Sequence, residues 1–171
     1  MRILHFPDLH IGVENYGRVD PVTGLSTRLQ DFLNALDQLV EYAVSKEIDL
    51  VLFAGDAYKS RDPSQTQQRE FAQRIARLTA AGVPVFLVVG NHDLPYAAGR
   101  ATALDIYPTL GVPLVTVGKR ISTEMVRVKG GGQLQVVVLP WVNRSWLLTQ
   151  EDFKNLPLDS INQVMEEKLN G

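Results

Sequence analysis

Short apolar runs alternate with longer stretches of helical spacing along the first two thirds of the chain. RILHFPD (2–8) predicts a short strand that ends in a carboxylate. A polar, glycine-containing loop follows, IGVENYGRVDPVTGL, and loops of such length are often functional. Thr27-x-x-Gln30 has the form of a capping box. Leu29, Phe32, Leu33, Leu36, Leu39, Val40 and Ala43 then form one apolar stripe, which predicts a helix from 29 to about 45. DLVLFAGD (49–56) is a second buried strand. Ser64-x-x-Gln67 starts a second helix, which Phe71, Ala72, Ile75 and Leu78 continue and Gly82 stops. VPVFLVVG (83–90) is the third strand, 100–107 a short helix before Pro108, and PLVTVG a fourth strand. After residue 120 the pattern changes: EMVRVKGGGQLQVVVLPW reads as a hairpin around Lys-Gly-Gly-Gly. SWLL and LDSINQVMEEKL read as helices.

Strands and helices in alternation, with strands apolar on both faces, predict an α/β fold. Its mostly parallel sheet is covered by helices on both sides, and the hairpin begins a second sheet. In such sheets ligands bind outside the carboxyl ends of the strands.

Composition narrows the picture. The 171 residues are 45 % hydrophobic and 21 % charged, as in an ordinary globular domain. The absence of cysteine excludes a disulfide framework and a thiolate metal site. Met1-Arg2 leads straight into the first strand without a signal-peptide pattern, and no apolar run approaches the roughly 20 residues that span a bilayer. A cytoplasmic setting is expected. The net charge of −2 neither suggests nor excludes nucleic acid, so any basic surface must be local.

The ends of the first three strands carry the chemistry. The first ends in Asp8-Leu9-His10, the second in Gly55-Asp56, the third in Asn91-His92-Asp93. In a parallel sheet all three tips share one edge. Oxygen and imidazole donors without thiolates suit Mn2+, Fe or Zn2+, and Asp56 is placed to bridge a pair of ions. A metal pair clamps the attacking and leaving oxygens in phosphoryl chemistry. Taken singly, each end reads equally well as a capped strand terminus, because Asp and Asn are common turn residues. Three such ends in succession are hard to explain that way.

FPDLHIG, LFAGD and VVGNHD together resemble the motifs of the calcineurin-like metallophosphoesterases, and most closely those of the SbcD-type nucleases of DNA double-strand-break repair. MRILH, DPSQTQQREFAQRI and LDSINQVMEEKL extend the resemblance over nearly the whole chain. It implies that residues 1–171 form the N-terminal portion of a single catalytic domain that hydrolyses phosphodiester bonds with two divalent metals, commonly Mn2+. Asp8 and His10 would hold one metal, Asp56 would bridge both, and Asn91 would hold the second. His92 would face the scissile phosphate and assist the leaving oxygen, with Asp93 bracing the loop around it. The implied partners are DNA, an SMC-like ATPase of the SbcC type and a second copy of the chain.

The chain departs from the family pattern in three places. Pro7 stands where Ser is usual, and Lys59 where many relatives carry an acidic residue that orients the catalytic histidine. Asp62 is near enough in sequence to substitute for that acid. The family's later ligands are histidines, yet this chain has only His5, His10 and His92, which suggests a truncated domain with the first half of a two-part site.

Other residues have weaker claims. Tyr16, Arg18 and Arg61 are candidate substrate contacts. Arg74 and Arg77 are expected on a solvated helix face, His5 in a structural role, and Trp141 and Trp146 in core packing. Two alternatives remain: a small-molecule phosphodiesterase or phosphatase of the same superfamily, and a non-catalytic binding module that retains the fold. Retention of the whole Asp8, His10, Asp56, Asn91 and His92 set argues against the latter.

Overall fold

The computed structural model describes residues 1–95, 100–141 and 160. The chain divides into two compact units, Met1–Trp141 and Val142–Gly171. Trp146 and the helices expected over SWLL and LDSINQVMEEKL lie outside the described residues, Ser160 excepted.

In the first unit the elements are β1 (Ile3–Phe6), α1 (Thr27–Ser45), β2 (Leu50–Phe53), α2 (Gln65–Ala80) and β3 (Val85–Val88). A single 3-10 turn (Ala103–Asp105) leads into α3 (Ile106–Leu110), followed by β4 (Val115–Gly118), β5 (Ser122–Arg127) and β6 (Gln133–Val138). The first four strands form a parallel sheet in the order β1-β2-β3-β4, while β5 and β6 pair antiparallel as the expected hairpin.

That strand order decides which face the helices cover. Every crossover steps in the same direction, and right-handed crossovers then place their helices on one side. Val51, Phe53, Val85 and Leu87 accordingly pack with Leu29, Leu33, Leu36 and Val40 of α1 and Phe71, Ile75 and Leu78 of α2. The opposite side of the sheet, Leu50 and Phe86, packs against Val126 and Val138 of the hairpin. Among the described residues, therefore, helices cover one face and the hairpin the other. An aromatic chain ties the helical layer to the sheet: Phe53 to Phe71 at 6.0 Å and Phe71 to Tyr107 at 6.5 Å between ring centroids. Burying each such ring contributes about 1.5–3 kcal/mol.

Local differences from the sequence reading have physical causes. Ser64 and Gln67 form the expected capping box on α2. Thr27 and Gln30 do not form one, because the N-cap is Ser26 and Thr27 Oγ1 accepts the Arg18 backbone N–H at 3.2 Å instead. Pro108 lies inside α3 rather than beyond it, in the first turn, where a missing N–H costs no intrahelical bond. Arg74 and Arg77 are not merely solvated. Arg74 bonds Asp37 of α1 at 2.8 Å and Glu70 at 2.7 Å, and Arg77 also pairs with Asp37, so the two helices are joined by charge as well as by apolar contact. Trp141 is 59 % exposed rather than part of the core, with its backbone N–H bonded to the Val89 carbonyl.

Candidate metal centre

Phe6 pairs with Phe53, and Phe53 with Leu87, so the first three strands finish level with one another. The chain then leaves the sheet through residues in the left-handed region: Asp8 (φ 59°), His10 (φ 46°) and Asp56 (φ 61°). Non-glycine residues seldom adopt this conformation, and they cluster at functional sites where the surroundings hold them. Here the backbone holds them. Asp8 N–H donates to Gly55 O and His10 N–H to Asp56 O, each at 3.0 Å, so the β1–β2 ladder continues past both strands. The left-handed residues Asp8 and Asp56 end the extended backbone, so the strands are shorter than the apolar runs suggest.

Glycines bring the second and third strand ends together. A Cβ on Gly55 would lie 2.8 Å from the Gly90 Cα, and one on Gly90 would run into the carboxylate and backbone of Asp56. Side chains then cross-link the ends. Asp56 Oδ1 accepts the His92 backbone N–H at 2.8 Å. Asp93 is 2 % exposed, and it accepts N–H groups from Asp56 at 2.8 Å, Ala57 at 3.0 Å and Gly90 at 3.0 Å. Burial pushes its carboxyl above the ordinary carboxylate range, while these donors act in the opposite direction. Asp93 therefore braces the Asp56 turn and the Gly90 backbone, a wider role than holding the loop around His92.

One donor atom each from His10, Asp56 and His92 lies within 4.8 Å of the others. His10 Nε2 is 3.4 Å from Asp8 Oδ1 and 3.8 Å from Asp56 Oδ2. Both distances are too long for charge-assisted hydrogen bonds. Ligand bonds of about 2.0–2.2 Å set two donors roughly 3–3.5 Å apart, so the 3.4 Å pair suits donors around one cation and the 3.8 Å pair is slightly wider. The mixed imidazole and carboxylate chemistry also suits a divalent ion. Asn91, half-buried, directly precedes His92 on the same turn.

His92 is oriented by a group with no signature in the sequence. Its Nδ1 lies 2.9 Å from the backbone carbonyl of Lys59, an acceptor only, so Nδ1 carries the proton and Nε2 is left for other partners. This replaces the expected carboxylate: with Nδ1 on the Lys59 carbonyl, Asp62 does not take that position. The Lys59 N–H donates to Ile11 O at 2.9 Å, which ties the carbonyl to the segment bearing His10.

The substrate-contact candidates lie outside this cluster. Tyr16 is fully exposed in the loop after His10, with φ 63°. Arg18 is exposed and Arg61 half-buried. The Tyr16 loop is anchored by Glu14, whose carboxylate accepts from Gln67 of α2 at 2.8 Å. His5 is exposed on β1, at the edge of the sheet.

A parallel sheet with imidazole and carboxylate groups converging at its carboxyl edge has the donor chemistry of a divalent-metal site. The calcineurin-like phosphoesterase model matches residues 1–168, and the chain belongs to that family. Within it, the chain resembles the Mre11 and SbcD nucleases. It is 32 % identical over 112 residues to the DNA double-strand break repair protein Mre11 of Methanosarcina acetivorans, covering 66 % of this chain and 17 % of that protein. It is 31 % identical over 109 residues to Mre11 of Thermoplasma acidophilum, covering 64 % and 27 %. It is 31 % identical over 105 residues to the SbcD component of the nuclease SbcCD of Bacillus subtilis, covering 61 % and 25 %. These matches therefore span about a quarter or less of each relative. Among the described residues no helix is long and apolar enough to cross a membrane.

Proposed function

We propose that this chain carries the motif-bearing N-terminal portion of a DNA nuclease domain that hydrolyses phosphodiester bonds in double-strand-break repair. The observation that carries this reading is the convergence of His10, Asp56 and His92 from three strand ends within 4.8 Å. The names of the Mre11 and SbcCD relatives support the choice of DNA over a small diester. On this reading Asp8, His10, Asp56 and Asn91 hold two divalent ions, with Mn2+ as the first candidate. Such ions supply Lewis-acid stabilisation of phosphoryl oxygens and acidify water. His92, with Nδ1–H on the Lys59 carbonyl, presents Nε2 to the substrate and delivers a proton to the departing oxygen. Asp93 holds the Asp56 turn in place. Tyr16, Arg18 and Arg61 touch the strand. An SMC-like ATPase of the SbcC type, a second copy of the chain and a cytoplasmic setting complete the proposal.

The test is cleavage of DNA by an active protein carrying this chain, with Mn2+ and with chelator, beside its Asp56→Ala variant. Cleavage should require the metal and vanish in the variant at any metal concentration. Turnover near wild type in metal-loaded Asp56→Ala would overturn the assignment of Asp56 as the bridge. Hydrolysis confined to small chromogenic diesters would overturn the choice of DNA.

A further inference from the structure

Lys59 occupies an unusual position. Its N–H is bonded to Ile11 O and its carbonyl to His92 Nδ1, both at 2.9 Å, so its backbone is fixed between the segment bearing His10 and the ring of His92. Its side chain is not used for either bond. Arg69, Arg74, Arg77 and Lys119 are each paired with a carboxylate. The Lys59 ammonium has no ion-pair or hydrogen-bond partner among the described residues, although it belongs to an exposed residue next to a cluster that contains the carboxylates of Asp8 and Asp56. An ammonium on a four-carbon stem is a mobile point charge with three donors, and it binds phosphate oxygens without demanding one geometry.

We propose that Lys59 is a phosphate-binding residue of this site, holding a backbone phosphate of a nucleic-acid strand beside the one that faces His92. The inference rests on the nuclease reading and adds to it a residue that selects for a strand over an isolated diester. A strand brings several phosphates toward the carboxylates of Asp8 and Asp56, and an ammonium tethered to a backbone held beside His92 offsets that repulsion. The contact is to backbone, so it favours no base sequence.

The experiment is anisotropy titration of a fluorescein-labelled single-stranded oligonucleotide with the whole chain, in chelator, across a range of salt concentrations. Each phosphate contact to a single strand adds about 0.7 to the slope of log affinity against log salt. Lys59→Gln should lower that slope by about 0.7 and weaken binding about fivefold at 0.1 M salt, equally for different base sequences. Lys59→Arg should restore both, and Lys46→Gln, at the end of α1, should change neither. Wild-type slope and affinity in Lys59→Gln would overturn the inference and leave the nuclease reading standing. A wild-type chain that binds no oligonucleotide even at low salt would also overturn the inference, whereas the nuclease reading stands or falls on the cleavage assay.

Discussion

Asp93 Oδ2 accepts the backbone N–H of Asp56 at 2.8 Å across 37 positions of sequence, and Asp56 Oδ1 accepts the N–H of His92, the neighbour of Asp93, at 2.8 Å. Each turn thus holds the other through a carboxylate. Removing the Asp93 carboxylate would leave the N–H groups of Asp56, Ala57 and Gly90 without their acceptor. An unpaired buried donor costs about 1–3 kcal/mol, so Asp93→Ala should destabilise the chain by about 3 kcal/mol or more. Asp93→Asn, which keeps one carbonyl oxygen, should lose less. Urea unfolding measures both, and an unchanged midpoint for Asp93→Ala would refute the bracing role.

Gly90 leaves no room for a side chain, because a Cβ would occupy the place of the Asp56 carboxylate. Gly90→Ala should displace that carboxylate and weaken divalent-metal binding, which isothermal calorimetry reads directly. Gly82→Ala is the comparison. Gly82 has φ 72° but nothing within 4 Å of an added Cβ, so it should cost stability through backbone strain and leave metal binding alone.

His92 should act in proton transfer rather than in holding a metal. In an active protein carrying this chain, His92→Ala should keep the metal stoichiometry and lose roughly 10²–10⁴-fold in turnover, the usual contribution of a general acid. Loss of one bound ion on calorimetry would make His92 a ligand instead.

Acid should weaken the ion pairs that Glu70 makes along α2. Burial acts to raise the Glu70 carboxyl, but hydrogen bonds and charges from Arg69 and Arg74 outweigh it and hold the group below its ordinary value of 4.5. A carboxyl depressed in the folded state stabilises the fold fully above its unfolded value and loses that contribution as pH falls through its folded value. Glu70→Gln should therefore be less stable than wild type above pH 4.5, and the gap should narrow on acidification below it. A gap that stays constant to low pH would assign the loss to packing rather than charge.

Much of this architecture was legible in residue order. Short apolar runs, turn residues and a 3.6-residue spacing report which positions meet a core, and they located six strands and the helices α1 and α2. The three strand-end motifs were equally plain, since Asp8, His10, Asp56 and His92 have side chains that either coordinate or titrate. Tertiary structure decided what depends on pairing order and on the backbone. The consecutive order of the parallel strands put the described helices on one face, which no local pattern encodes. Arg74 and Arg77 looked like solvated charge until Asp37 of α1 was placed opposite them. The orientation of His92 comes from the Lys59 carbonyl, a group that every residue possesses. For that reason the sequence pointed to a missing acid, whereas the fold supplies an acceptor from the main chain.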